Sequence, residues 1–411
     1  MKQLKSSFKI VFAIWIVLFF MSPNANAQTA GSAQNDVQAP LSALQQMDSV
    51  EVSLLTVGPG NEVWSVYGHT ALRYQNHLRK QDLAINYGAF NFEQDYFILR
   101  FVFGATDYEM ETLPMSLFMT VYREEQRWVV EQQLNLTREE KLAITQALYE
   151  NSLPENVSYR YNFFYNNCTT RARDMIINHL NCIGYQSDTQ WNGESYREMT
   201  HQWTRHHRWT RFGNDLLLGI GSDFKTEREA SFFLPDSVRK DFSHMIITNP
   251  DGSKRKLVSK TEWLNSTLKK TLDFSPFSFL TPQVVFAMMF AVVLLLTIYQ
   301  WRSKRNLWWL DMLLLLTSGI AGIILFLMVF SQHPTVRVNL QILLLNPLSL
   351  LFLYPTVRAG RKGHAHWYWT VLAGCILLFF IGAIWQTYAE GMYFVALCLL
   401  IRCIVNIRHE K

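Results

Sequence analysis

Tyr159-Arg160-Tyr161-Asn162-Phe163-Phe164-Tyr165-Asn166-Asn167-Cys168-Thr169-Thr170-Arg171-Ala172-Arg173-Asp174 is the stretch whose reading decides the fold. An aromatic run with strand character, over 157–165, ends in two asparagines. Cys168 follows, and then a run through Met175, Ile176, Ile177 and Leu180 whose spacing predicts a helix. A cysteine in the first turn of a helix sits in the positive field of unpaired amides, which favours the thiolate. Read instead as a core residue or half of a disulfide, the same thiol has no chemistry. The rest of the chain has to decide between these readings.

Upstream, the pattern predicts a mixed α+β domain. Strands are expected over 50–57, 63–74 and 83–90, with Gly58-Pro59-Gly60-Asn61 as the first turn. Short helices are expected over 96–103 and 117–125, and a further strand over 127–136. Thr137 and Glu140 fit a capping box for a helix to about Glu150, each satisfying an orphan amide of the other. Downstream, 191–236 is rich in Trp, His and Arg. It reads either as a surface against lipid headgroups or as an aromatic core with solvated cations. Asn249-Pro250-Asp251-Gly252 marks a small hairpin over 245–263.

The ends of the chain set the compartment. Of the 411 residues 49% are hydrophobic, and they are unevenly spread. Lys2, Lys5 and Lys9, an apolar run over 10–20 and Ala25-Asn26-Ala27 predict a secretory signal peptide cut before Gln28. A polar tether would follow over 28–45, and an extracytoplasmic domain over 46–275. A membrane domain is expected over 282–406, with apolar segments at 283–300, 308–330, 342–357, 367–388 and 392–405. The first, second and fourth have spanning length; the third, with Pro347 and Pro355, and the fifth are short, and each is either re-entrant or buried by its neighbours. Basic residues follow the first segment (Arg302, Lys304, Arg305) and the third (Arg358, Arg361, Lys362), and Arg408 and Lys411 lie in the tail at 407–411. By the positive-inside rule five spans leave the first domain outside the inner membrane and the C-terminus inside. The net charge of +5 is largely these juxtamembrane residues, so no nucleic-acid partner is expected. Of the five cysteines only Cys168 and Cys182 lie in the exported polar region. Pairing between them would silence Cys168.

A thiolate needs a base. His69 follows the permissive Gly68 and opens a strand, and its ordinary pKa suits proton exchange near neutrality. His77, His201, His206 and His207 compete and read as solvated surface. In the membrane half, His333, Asn339 and Asn346 are polar residues at or near membrane depth. They either line a lipid-accessible substrate site or satisfy the backbone around Pro347.

Gly68-His69-Thr70-Ala71-Leu72-Arg73, followed about a hundred residues later by Asn162 to Asp174, resembles the Lnb N-terminal periplasmic domain family. The segment 219–235, with Asp223 and Phe233-Leu234-Pro235, fits as well, and the apolar C-terminal half resembles the five-helix membrane domain that accompanies this family. The resemblance implies a permuted papain-like (NlpC-type) α+β domain, like lecithin:retinol acyltransferase, followed by an all-α transmembrane domain of five helices. The implied activity is a cysteine-dependent lipoprotein N-acyltransferase that calls for no cofactor and no metal. A phospholipid would donate an acyl chain to Cys168 as a thioester, and a diacylated lipoprotein would accept it at its N-terminal amine. His69 would shuttle the proton, and Asn86 or Tyr87 on the next strand would orient it. The Cys168 amide and the Asn167 side chain would hold the oxyanion. The rival readings are a membrane-anchored cysteine peptidase or amidase, which gives the acyl group to water, and a non-enzymatic membrane sensor or scaffold.

Overall fold

The computed structural model describes residues 42–89, 95–266 and 279–408. The expected signal peptide, nearly all of the tether and the last tail residues lie outside the described residues. The end of the tether is a helical turn, Ala43–Gln46, with a Ser42/Gln45 capping box.

Among the described residues ten strands follow in chain order: β1 (Val50–Val57), β2 (His69–Asn76), β3 (Gln81–Ala89), β4 (Asp107–Pro114), β5 (Val129–Leu134), β6 (Ser158–Arg160), β7 (Gly184–Gln186), β8 (Ile246–Thr248), β9 (Lys254–Lys256) and β10 (Val258–Asn265). Seven of them form one sheet in the order β10-β5-β1-β2-β3-β4-β6, with every neighbouring pair antiparallel. β7, β8 and β9 make a small second sheet. The hairpin expected around Asn249 is β8–β9, but β10 leaves it to pair with β5.

Two expected strands are shorter than their patterns suggest. β2 starts only at His69, because Ser65 and Gly68 donate to Glu62 and Ser65 carbonyls and hold the preceding residues in turns. β6 stops at Arg160, because Asn162 and Asn166 exchange backbone hydrogen bonds of 3.0 and 2.9 Å and fold 162–166 into a tight loop. β4 was not anticipated. It buries Tyr108 and Met110 and exposes Glu109 and Glu111, alternation that a run of acidic residues disguises.

Strand periodicity gives the sheet two apolar faces. One carries Leu54, Leu72, Ile85 and Tyr87 and packs on Ile144, Ile176 and Phe242 of the helices Arg138–Ser152, Cys168–Ile177 and Pro235–His244. The other carries Leu55, Val57, Ala71 and Ala84 and packs on Phe118 and Met119 of helix Met115–Glu124. The expected capping box at Thr137 and Glu140 is present, and the Glu140 carboxylate also accepts from Asn181 N–H and pairs with Arg255.

The C-terminal half is helical and apolar. Helices Pro282–Ser303 and Trp308–Met328 are long and apolar enough to cross a membrane. The third apolar segment is broken: Leu340–Leu351 and Leu353–Arg361 meet at 74°. It lies hard against the second helix, where a side chain on Gly322 would collide with Leu345 O and Pro347 N. The fourth, expected to span over 367–388, is helical only over the 15 residues Tyr368–Gly382. Beyond it the Tyr388 hydroxyl donates 2.7 Å to Phe379 O and turns the chain back. The last helix is Met392–Ile407. Among the described residues two helices therefore have spanning length, or three if the bent pair counts as one. Large apolar side chains such as Val292, Leu295, Leu313, Ile320 and Leu377 stand exposed along these helices, a surface that suits lipid rather than water. Inside, Arg402 and Asp311 form a buried bidentate pair joined by Asn406 and Thr297.

The two halves are knitted together. Gly219 and Ile220 donate backbone bonds of 2.8 Å to Thr335 and Val338 carbonyls, Gln341 Nε2 donates to Asp215 O, and Arg208 pairs with Glu390.

Candidate active site

The motif around Cys168 is a set of local fittings. Asn167 is the N-cap: its Oδ1 accepts from Thr169 and Thr170 amides at 2.9 and 3.0 Å, and Thr170 Oγ1 accepts from Asn167 N–H. Asn167 Nδ2 donates to Phe163 O and Phe233 O, both at 2.9 Å. Both amide hydrogens are thus committed to backbone, and the side chain has none left for an oxyanion. This corrects the expectation from sequence, and the reason is that an asparagine before a helix serves the helix first. Thr169 Oγ1 accepts from Thr70 Oγ1 at 3.1 Å and pins the helix start to β2. The Arg171 guanidinium lies 4.2 Å over the Tyr159 ring.

Cys168 is the first residue of its helix and stands against His69, the first residue of β2. His69 Nε2 donates to Asn86 Oδ1 at 3.1 Å, which leaves Nδ1 for the sulfur. Asn86 and Tyr87 are consecutive on β3, so they point to opposite faces. Tyr87 belongs to the core beneath the Cys168 helix, and its hydroxyl donates 2.8 Å to Asn151 Oδ1. Of the two orienters considered, Asn86 is the one beside His69. Competing histidines lie elsewhere: His77 pairs with Glu51 at the surface, and His201 donates to Asp215.

Gly88 makes the approach possible. Its φ of +100° sits at a bulge in β3. A methyl group placed on it would lie 3.7 Å from Cys168 Cβ, 3.9 Å from the Tyr108 ring and 3.9 Å from the Tyr159 hydroxyl. That hydroxyl is buried and has no hydrogen-bond partner among the described residues. An unpaired buried phenol is costly, and such groups call for an explanation. No expectation named Tyr159; its signal was only that it opens the aromatic run.

The electrostatics follow from these contacts. Burial pushes the Cys168 thiol up, but the His69 charge, its hydrogen bond, the Thr70 amide and Thr169 outweigh it and bring the pKa down to about 7. Burial pulls His69 down, while the Cys168 charge and the Cys168 and Asn86 hydrogen bonds raise it above its ordinary value. The pair is poised as thiolate and imidazolium near neutral pH. Burial, with the Cys168 charge adding to it, raises Tyr108 to about 12, so the neighbouring phenol stays neutral. All five cysteines are free thiols. Cys182 follows beyond the far end of the Cys168 helix, and the two are not bonded.

The three polar residues of the membrane half diverge. Asn339 is consumed by structure, donating to Leu216 O and accepting from Gln341 and Gln386. Asn346 Oδ1 accepts from Leu348 N–H and repairs the break at Pro347, as the backbone-repair reading had it. His333 lines a cavity of about 360 Å³ that Tyr108 also lines.

Two family models match the chain. The Lnb N-terminal periplasmic domain covers residues 39–199, and the Lnb transmembrane domain covers 275–411. The chain belongs to the Lnb family and is a membrane protein with a periplasmic domain. None of the curated proteins and none of the solved structures matches it.

Proposed function

We propose that this protein is a lipoprotein N-acyltransferase working through a Cys168 thioester. The observation that carries this reading is the thiol at a helix start, lowered to about 7 by His69, in a domain fused to membrane helices. The Cys168 thiolate attacks the ester carbonyl of a phospholipid. The Cys168 amide, which has no intrahelical acceptor at this position, and the Tyr159 hydroxyl are the donors for the oxyanion. The ester C–O bond breaks, and the lyso-phospholipid leaves with the proton from His69. The α-amine of a diacylglyceryl-cysteine then attacks the thioester. His69 takes its proton, the amide forms and the Cys168 thiol is regenerated. Asn86 holds the imidazole in the tautomer this needs. The domain would be a permuted papain-like one, and the helical half would sit in the inner membrane with the C-terminus inside. Donor and acceptor are both lipids, so a site held at the bilayer raises their effective concentration. A hydrolase of soluble peptides gains nothing from that placement.

The test is mass spectrometry of lipoprotein N-termini from a strain lacking the protein and from one expressing Cys168→Ser. Both should accumulate lipoproteins with a free N-terminal amine, and wild-type protein should restore the amide-linked chain. Full N-acylation in both strains would contradict the reading, and release of free fatty acid without transfer would favour the hydrolase.

A further inference from the structure

The cavity of about 360 Å³ beside the Cys168–His69 pair is within the range of small-molecule sites, roughly 300–1,000 Å³. Tyr108, Tyr161 and Phe163 form its wall on the sheet domain, and Leu218, Met328 and Val336 help close it. On the side of the thiol it is walled by Tyr108, whose ring also converges with Cys168 on Gly88; Cys168 and His69 stand behind that wall rather than in the lining. It ends at the membrane: Met328 is the last residue of the spanning helix Trp308–Met328, and Trp64 and Phe101, also lining it, are 64% and 45% exposed. Exposed aromatic side chains level with a helix end mark the bilayer interface.

Several polar side chains around this cavity are already engaged within the protein. Asn214 Nδ2 donates 2.6 Å to the Tyr67 hydroxyl, Asn162 Oδ1 accepts from Phe164 and Tyr165 amides, and Thr200 donates to Arg197 O. Among the described residues no Lys, Arg, Asp or Glu lines it, and burial lowers His333 below its ordinary pKa, so it faces the cavity as a neutral ring. An apolar chamber with a lipid-level mouth at one end, and at the other a tyrosine wall with the nucleophile behind it, suits one kind of occupant.

We propose that this cavity holds the fatty acyl chain of the phospholipid donor, entering past Trp64 and Phe101 and remaining there while the acyl carbon is bonded to Cys168. The proposal rests on the acyltransferase reading and adds that the chamber between the two halves sets chain-length preference. Filling it should therefore disfavour long chains specifically, since a misfit in an apolar pocket discriminates by roughly tenfold or more.

The experiment uses full-length protein in detergent with phosphatidylethanolamine carrying either palmitoyl or octanoyl chains, and no acceptor. Intact-protein mass spectrometry reads the rate of acyl addition at Cys168. Val336→Trp should lower the palmitoyl-to-octanoyl rate ratio by roughly tenfold or more while iodoacetamide still labels Cys168. An unchanged ratio overturns the proposal; if the variant instead slows only later transfer to an acceptor lipopeptide, the chamber belongs to the acceptor. Absence of any thioester in wild-type protein would refute the acyltransferase reading itself. A second measurement needs no variant. Phosphatidylethanolamine with a diazirine at the acyl terminus should crosslink to the lining, Val336 and Met328 included. A thioester formed with crosslinks only on the lipid-facing sides of the membrane helices would contradict it.

Discussion

The Arg197 cluster and the Cys168 pair each hold a histidine beside a polar partner within the same domain, and they differ in what is left over. Arg197 is buried, with Nη1 on Asp215 at 2.8 Å, Nε on Asp223 at 2.9 Å and Nη2 on Leu218 O at 3.0 Å. His201 donates to both Asp215 oxygens, and Asp223 accepts from Thr387 N–H of the membrane half. Charge there meets charge and ties the halves together. Around Cys168 there are fewer charges, but the thiol is without a covalent partner, its proton is shared with His69, and a buried phenol stands unpaired beside it. Density of ionisable groups marks a structural joint here, whereas a free thiol beside a base marks the chemistry.

Substitutions can break this contrast. The largest effect expected is from Cys168→Ser, which should abolish acyl transfer while the protein accumulates normally. His69→Ala should cost about 10²- to 10⁴-fold. It should also move the pH midpoint of iodoacetamide labelling at Cys168 upward from near 7. The sign follows because removing the imidazolium leaves burial, which raises the thiol pKa, without its main counterweight. A midpoint that stays near 7 would mean His69 is not the partner. Tyr159→Phe should slow acyl transfer by about 10²-fold through loss of one oxyanion donor, with the labelling midpoint unmoved; a moved midpoint would assign Tyr159 to thiol positioning instead.

The joint should fail differently. Arg197→Met leaves Asp215 to His201 and Asp223 to the Thr387 amide without the buried guanidinium that balances both charges, a cost of about 3–5 kcal/mol. Thermal unfolding should shift down markedly, while Cys168 in the protein that remains folded labels at the wild-type rate. Loss of labelling with unchanged stability would reverse the roles of the two clusters. Smallest of all, Cys182→Ser should leave transfer and stability within error. An effect equal to that of Cys168→Ser would point to a disulfide.

Much of the sheet domain was legible in the residues. β1 matches its apolar run, Thr137 and Glu140 cap their helix, and Gly68-His69 lies beside the Asn167-Cys168 helix start. Other features depend on register, which spacing alone does not carry. Alternation separates Asn86 from Tyr87, but only the pairing of β2 with β3, Ala71 opposite Asn86, shows which of them meets His69. Asn167 could have been read as an N-cap from its type and place. In the membrane half, hydropathy marked the apolar runs but not the 74° bend between Leu351 and Leu353 or the early end at Gly382, where the buried Tyr388 hydroxyl donates back to Phe379 O. The chamber was invisible, being assembled from residues as far apart as Trp64 and Val336.

The central claim is that Cys168 carries an acyl group taken from phospholipid. Incubating purified full-length protein with phosphatidylethanolamine alone, quenching in acid and measuring the intact mass tests it most directly. The expected result is the mass of one acyl chain, mapped to Cys168, released by neutral hydroxylamine and absent from Cys168→Ser. An unmodified protein, or an adduct that persists in Cys168→Ser, would contradict it.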